Sequence, residues 1–205
     1  MKNALAAVAL IAAVLLGATA RAADRSSLAP TLEEDGIYSQ SWFVKSFLDL
    51  KEDLADASAA GKRLVVIFEQ RGCPYCREMH TGHLTDPRIN AYIRQHFAIL
   101  QINIHGDREV TDFDGAKMPE KELARRWGAR FTPTFVFLPE KPDPAAAKTG
   151  QDIEVLRMRG LLKPGPFYAM FKFVEQRKYA GQSLTQFQAG EGAALAREID
   201  EHPLQ

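Results

Sequence analysis

Cys73-Pro74-Tyr75-Cys76 holds the only two cysteines of the chain. Two thiols at that spacing can exchange a disulfide or help hold a metal. Just before them, Leu64-Val65-Val66-Ile67-Phe68 is wholly apolar and reads as a buried strand, and the residues after Cys73 read as the start of a helix. At a helix start the unpaired N–H groups and the helix dipole stabilise a thiolate, the reactive form of the thiol. Arg71 and Arg77 flank the motif and push the same way. Cys73 is therefore expected to attack, and Cys76 to resolve the resulting mixed disulfide. A bond between them closes too small a loop to constrain the unfolded chain, so the pair is not a structural staple.

Nearby residues have more than one reading. Glu69 is the nearest carboxylate, either a solvated strand-end residue or a proton relay for Cys76. Tyr75 reads as a surface aromatic that touches partners. His80 lies four residues after Cys76 on the same helical face, which opens a rival reading. Cys73, Cys76 and His80 would then bind copper or zinc in a metallochaperone module. His83 is expected to be exposed. Phe167, Phe171 and Phe173 read as core or surface of a late helix, and no cofactor is implied.

The elements that must position these residues follow from the pattern. Ser41 caps a helix over about 42–60, with Phe43, Phe47, Leu50 and Leu54 at helical spacing. After the strand and the Cys-x-x-Cys helix, Asp86-Pro87 signals a helix to about His96. A strand from Phe97 to Ile104 precedes a polar insert, His105 to Met118, where Asp114-Gly115 suggests a hairpin. Pro119 opens a helix stopped by Gly128. A strand follows at Thr134–Leu138, a Pro-rich loop at 139–152, and an antiparallel strand from Ile153 to Met158. A final helix runs to about Tyr179, and the tail 181–205 is expected to dock only loosely. Strands alternating with helices, then a hairpin and a closing helix, describe a mixed α/β sheet covered on both faces.

The ends and the charge set the compartment. Lys2, the apolar stretch Ala4–Leu16 and the small-x-small site Ala20-Arg21-Ala22 make residues 1–22 read as a cleavable secretory signal, with an uncleaved anchor as the alternative. Residues 23–40 read as a polar tether. Export places the thiols in a periplasm, where disulfides form. Lys plus Arg and Asp plus Glu both number 26, and nothing favours nucleic acid or an anionic membrane surface.

The strand ending at Phe68 with its Cys-x-x-Cys, Thr132-Pro133-Thr134 before a strand, and the hairpin ending at Gly160 together resemble the thioredoxin superfamily over about residues 42–180. The resemblance implies a central sheet of about four strands flanked by helices, with an extra N-terminal helix and a short insert. It implies a cis bond at Pro133, with Thr132 offering its backbone to an incoming client. The stretch Phe68–His80 and the insert Gly106–Gly115 look like the periplasmic SoxW group associated with sulfur oxidation. That group implies protein disulfide clients, sulfur carriers of thiosulfate oxidation among them, and a membrane thiol transporter as electron donor. A monomer is expected. The chain departs from typical thioredoxins in carrying Ile67 where they have a buried acid and Gly72 where they have tryptophan. Its Pro74-Tyr75 pair is the one common in glutaredoxins.

Overall fold

The computed structural model describes residues 28–141 and 149–201; the signal segment 1–22 lies outside them. The chain begins with a small hairpin, β1 (Thr31–Leu32) and β2 (Tyr38–Ser39), followed by α1 (Leu50–Ala59) and β3 (Arg63–Glu69). Next come α2 (Pro74–Thr81), α3 (Pro87–His96) and β4 (Phe97–Asn103). The insert contributes β5 (Glu109–Thr111) and β6 (Lys117–Pro119), and α4 (Glu120–Arg126) and β7 (Thr134–Phe137) follow. After a single helical turn at Gly150–Ile153 the chain ends in β8 (Leu156–Arg159), α5 (Pro164–Glu175), α6 (Leu184–Ala189) and α7 (Glu191–Asp200).

The central sheet has the order β4-β3-β7-β8. β3 runs parallel to β4 and antiparallel to β7, and β7 is antiparallel to β8. All of β3 is buried, and alternation sorts its side chains onto two cores. Val65 sits between Ile99 and Phe137 and, with Ile67, faces Met79 of α2, Ile93 of α3 and Phe171 of α5. Val66 sits between Leu100 and Val136 and, with Leu64 and Phe68, faces Leu54 of α1 and Trp127 beyond α4. An unbroken apolar run from Leu64 to Phe68 in a two-faced sheet is what such double cover demands.

Three expectations about the flanks need correction. The helix expected over 42–60 begins only at Leu50, where the Asp49 carboxylate accepts the N–H groups of Lys51 and Glu52. Before it, the Ser46 hydroxyl accepts the Leu48 N–H, and Leu48 takes φ +64°, a turn that breaks the helical register. Phe43 is buried while Phe47 is fully exposed, so their helical spacing did not reflect one face.

The segment expected as a tether is docked from Leu28 onward. Leu28, Ile37 and Gln40 are buried. The Gln101 amide of β4 donates to the Tyr38 carbonyl at 2.7 Å, and Arg71 Nε donates to the Asp35 carbonyl at 2.8 Å.

The tail is part of the core. Phe187 is fully buried, and Ile199 joins the same cluster as Phe167 and Phe171. Arg88 of α3 donates to the carbonyls of Glu198 and Ile199. The Gly165 N–H donates to the Asp200 carboxylate at 2.8 Å, and a Cβ at Gly165 would meet the Ala196 carbonyl at 2.3 Å. Close approach of α5 and α7 therefore requires glycine there.

The insert hairpin is seated as well. Its buried Asp112 accepts Trp127 Nε1 at 3.1 Å and pairs with Arg126. Among the described residues no helix is long and apolar enough to cross a membrane.

Candidate active site

β3 ends at Glu69, a turn follows in which Gly72 takes φ +72°, and Cys73 becomes the N-cap of α2. Pro74 occupies the first helical turn, where its missing N–H costs nothing. The capping atom is the cysteine sulfur itself: the Cys76 N–H donates to Cys73 Sγ at 3.1 Å. Cys73 and Cys76 are joined in a disulfide, with Cα atoms 5.3 Å apart. The two differ little in exposure, 7% against 4%. What distinguishes them is what they line. Cys73 borders two open grooves, and Cys76 borders only the one on the hairpin side.

The other groove, of about 530 Å³, runs between the disulfide and the loop before β7. Tyr75, Phe131, Thr132, Arg159 and Gly160 line it with Cys73. The Thr132–Pro133 peptide bond is cis, and the Thr132 carbonyl oxygen lies 3.5 Å from Cys73 Sγ. Tyr75 and Phe131 are 59% and 65% exposed, two large apolar surfaces on one rim. Phe131 was not singled out from sequence, although an aromatic next to Thr132-Pro133 was signal enough.

The charged and titratable neighbours differ more from expectation. Glu69 is not solvated; it is fully buried. Its Oε2 lies 3.1 Å from His80 Nε2 and also accepts the Gln101 amide. His80 is fully buried too, with its ring centroid 5.5 Å from that of Phe43 and 6.3 Å from that of Tyr38. With Nε2 engaged by Glu69 and the sulfurs bonded to each other, the trio Cys73, Cys76 and His80 does not assemble as a metal site. Among the described residues no group of three or more His, Cys, Asp or Glu side chains could hold a metal ion. His83 is buried rather than exposed, with Nε2 2.8 Å from the Leu162 carbonyl. Arg71 spends its guanidinium on the Asp35 and Glu34 carbonyls of the hairpin.

The family profile described as a thioredoxin-like domain matches residues 50–175, more than half of the sequence. The chain belongs to the thioredoxin-like family. No curated protein sequence matches it. Among solved structures it is similar to a thioredoxin-fold protein from Helicobacter pylori, at 22% identity over 67% of this chain and 84% of that one, with a TM-score of 0.48. It is similar to a thioredoxin from Thermus thermophilus at 27% identity, over 77% and 96% of the two chains, with a TM-score of 0.46. A disulphide isomerase from Xylella fastidiosa is similar at 18% identity, over 68% and 88%, with a TM-score of 0.36. A thioredoxin-like fold bearing a Cys73–Cys76 pair at a helix start supports thiol–disulfide oxidoreductase chemistry in general.

Proposed function

We propose that this protein is a periplasmic thiol–disulfide oxidoreductase that reduces disulfides in client proteins. The observation that carries the reading is Cys73 Sγ at the N-cap of α2, accepting the Cys76 N–H and standing 3.5 Å from the Thr132 carbonyl in an open groove. A client strand laid along Thr132 brings its disulfide to Cys73. Cys73 attacks, one client sulfur leaves as thiolate, and a mixed disulfide forms. Cys76 then attacks Cys73 Sγ, the second client sulfur leaves, and the Cys73–Cys76 bond remains. Exposed Tyr75 and Phe131 give the client apolar contact area beside the reacting sulfur.

The compartment follows from the secretory signal read in residues 1–22. The likeness of Phe68–His80 to the SoxW group supports sulfur-carrier proteins as clients and a membrane thiol transporter as the recharging donor, and the enzyme is proposed to act as a monomer. Direction is tested by equilibrating the pair with glutathione buffers. A midpoint close to that of thioredoxin, about −270 mV, supports a reductant, and one near that of a strong periplasmic oxidant, about −120 mV, reverses the proposed flow.

A further inference from the structure

Glu69 and His80 make a carboxylate–imidazole pair in which both side chains are fully shielded from solvent, Oε2 to Nε2 at 3.1 Å. The surroundings hold it rigidly. Gln101 donates to the Glu69 carboxylate and to the Tyr38 carbonyl, and the Gln40 amide donates to the His80 carbonyl at 3.1 Å. Two polar atoms of the pair are nonetheless buried without a partner, Glu69 Oε1 and His80 Nδ1. A buried polar atom with no partner is costly, and a catalytic role is one explanation for its being kept.

The position of His80 suggests the use. It follows Cys76 by one helical turn in α2, and both residues are buried. Residues at i and i+4 share one face of a helix, with Cβ atoms about 5–6 Å apart, so Cys76 and His80 are neighbours on α2. A neutral imidazole donating Nε2–H to the carboxylate keeps its lone pair on Nδ1.

We infer that His80 is the base for Cys76 during resolution of the mixed disulfide, and that Glu69 is its positioning residue. The inference rests on the exchange activity proposed above. The Cys76 S–H proton passes to His80 Nδ1, and the sulfur's electron pair attacks Cys73 Sγ. The bond from Cys73 to the client breaks, and the client sulfur leaves with that bond's electron pair as thiolate. The cysteine pair is oxidised by two electrons and the client disulfide is reduced by two. The imidazolium is stabilised by the Glu69 carboxylate until it returns its proton to water. Tyr38 of β2 faces the His80 ring, and Cys76 precedes His80 by one turn of α2. Neutral Gln101 of β4, Gln40 and Phe43 also pack against the dyad.

Ellman's reagent separates the two steps in stopped flow, because attack by Cys73 releases one coloured thiolate and resolution by Cys76 releases a second. In His80→Gln the amide keeps a donor for Glu69 but is no base. The first phase should stay within about twofold, while the second slows on the order of a hundredfold and climbs tenfold per pH unit. An unchanged second phase, or equal slowing of both, overturns the assignment. If His80→Gln does not fold, the wild-type pH profile decides. A second phase that levels off well below the free-thiol range, about pH 8.5, supports the base, and one that climbs tenfold per unit up to that range overturns it. Wild type that releases no second thiolate overturns the exchange reading itself, and this inference with it.

Discussion

Cys73 Sγ and the Thr132 carbonyl oxygen lie 3.5 Å apart, a sulfur on α2 facing a backbone acceptor on the loop before β7. Backbone held at Thr132 is thereby held at the first cysteine and not at the second, since Cys76 lies off that groove. Cys76→Ser should trap mixed disulfides with client proteins, and Cys73→Ser should trap none. Non-reducing gels of the two variants check this, and equal capture by both removes the assignment of roles.

The sulfur that caps α2 should carry an anion easily. In reduced protein the Cys76 N–H and the helix dipole both favour the Cys73 thiolate. Absorbance titration of the thiolate should place its midpoint below the free-thiol value of about 8.5. A midpoint at or above that value shows that the cap does not act on the thiolate.

Phe131 should matter for large substrates alone. It is 65% exposed on the rim of the groove beside Cys73 and Thr132. Phe131→Ala is expected to raise KM for a protein disulfide about tenfold, the effect of losing about 1.4 kcal/mol of contact. Its reaction with a small aromatic disulfide should stay within twofold. Equal losses on both substrates would place Phe131 in the chemistry instead of in docking.

Asp86 ties acid stability to the cap of α3. Burial pushes its carboxyl up, but hydrogen bonds from the Arg88 side chain and backbone outweigh that and hold it below the usual 3.8. A carboxyl lowered by folding contributes stability above its unfolded value and loses it as pH falls through the folded one. Asp86→Ala should cost about 1–2 kcal/mol near pH 7. The gap to wild type should narrow as pH drops below 3.8. Urea unfolding at neutral and acid pH measures both, and a gap independent of pH refutes the linkage.

Phe187 tests the C-terminal helices. It is fully buried against Phe173, with ring centroids 5.4 Å apart. Phe187→Ala should destabilise the whole domain by about 3–5 kcal/mol. A loss under 1 kcal/mol would mean that α6 is peripheral.

The four strands of the central sheet, the site of the Cys-x-x-Cys pair and the start of α3 were legible because local signals carry them. An unbroken apolar run, the Cys-x-x-Cys spacing and Asp86-Pro87 each speak within a few residues. What was not legible depends on contacts between distant segments. The hairpin at Thr31–Ser39 has strands of two residues, too short for any period, and is fixed by Arg71 and Gln101 from elsewhere. The spacing of Phe43 and Phe47 imitated a helix that the Leu48 turn prevents. Glu69 and His80 are 11 residues apart, and their pairing exists only once α2 folds back along β3. The burial of His83 depends on the Leu162 carbonyl, 79 residues away.

The seating of α7 on α5 also bears on how the protein is made. Phe187 and Ile199 complete the core that α2, α3 and α5 lay on one face of the central sheet, and the Gly165 N–H donates to Asp200. Translation delivers residues at about 5–20 per second, N-terminus first. For about one to five seconds after α5 has been synthesised, the side of it that carries Phe173 therefore lacks the cover that Phe187 brings. A nonsense change that removes α6 and α7 leaves that side of α5 bare for good, and should yield an aggregating product rather than a smaller enzyme.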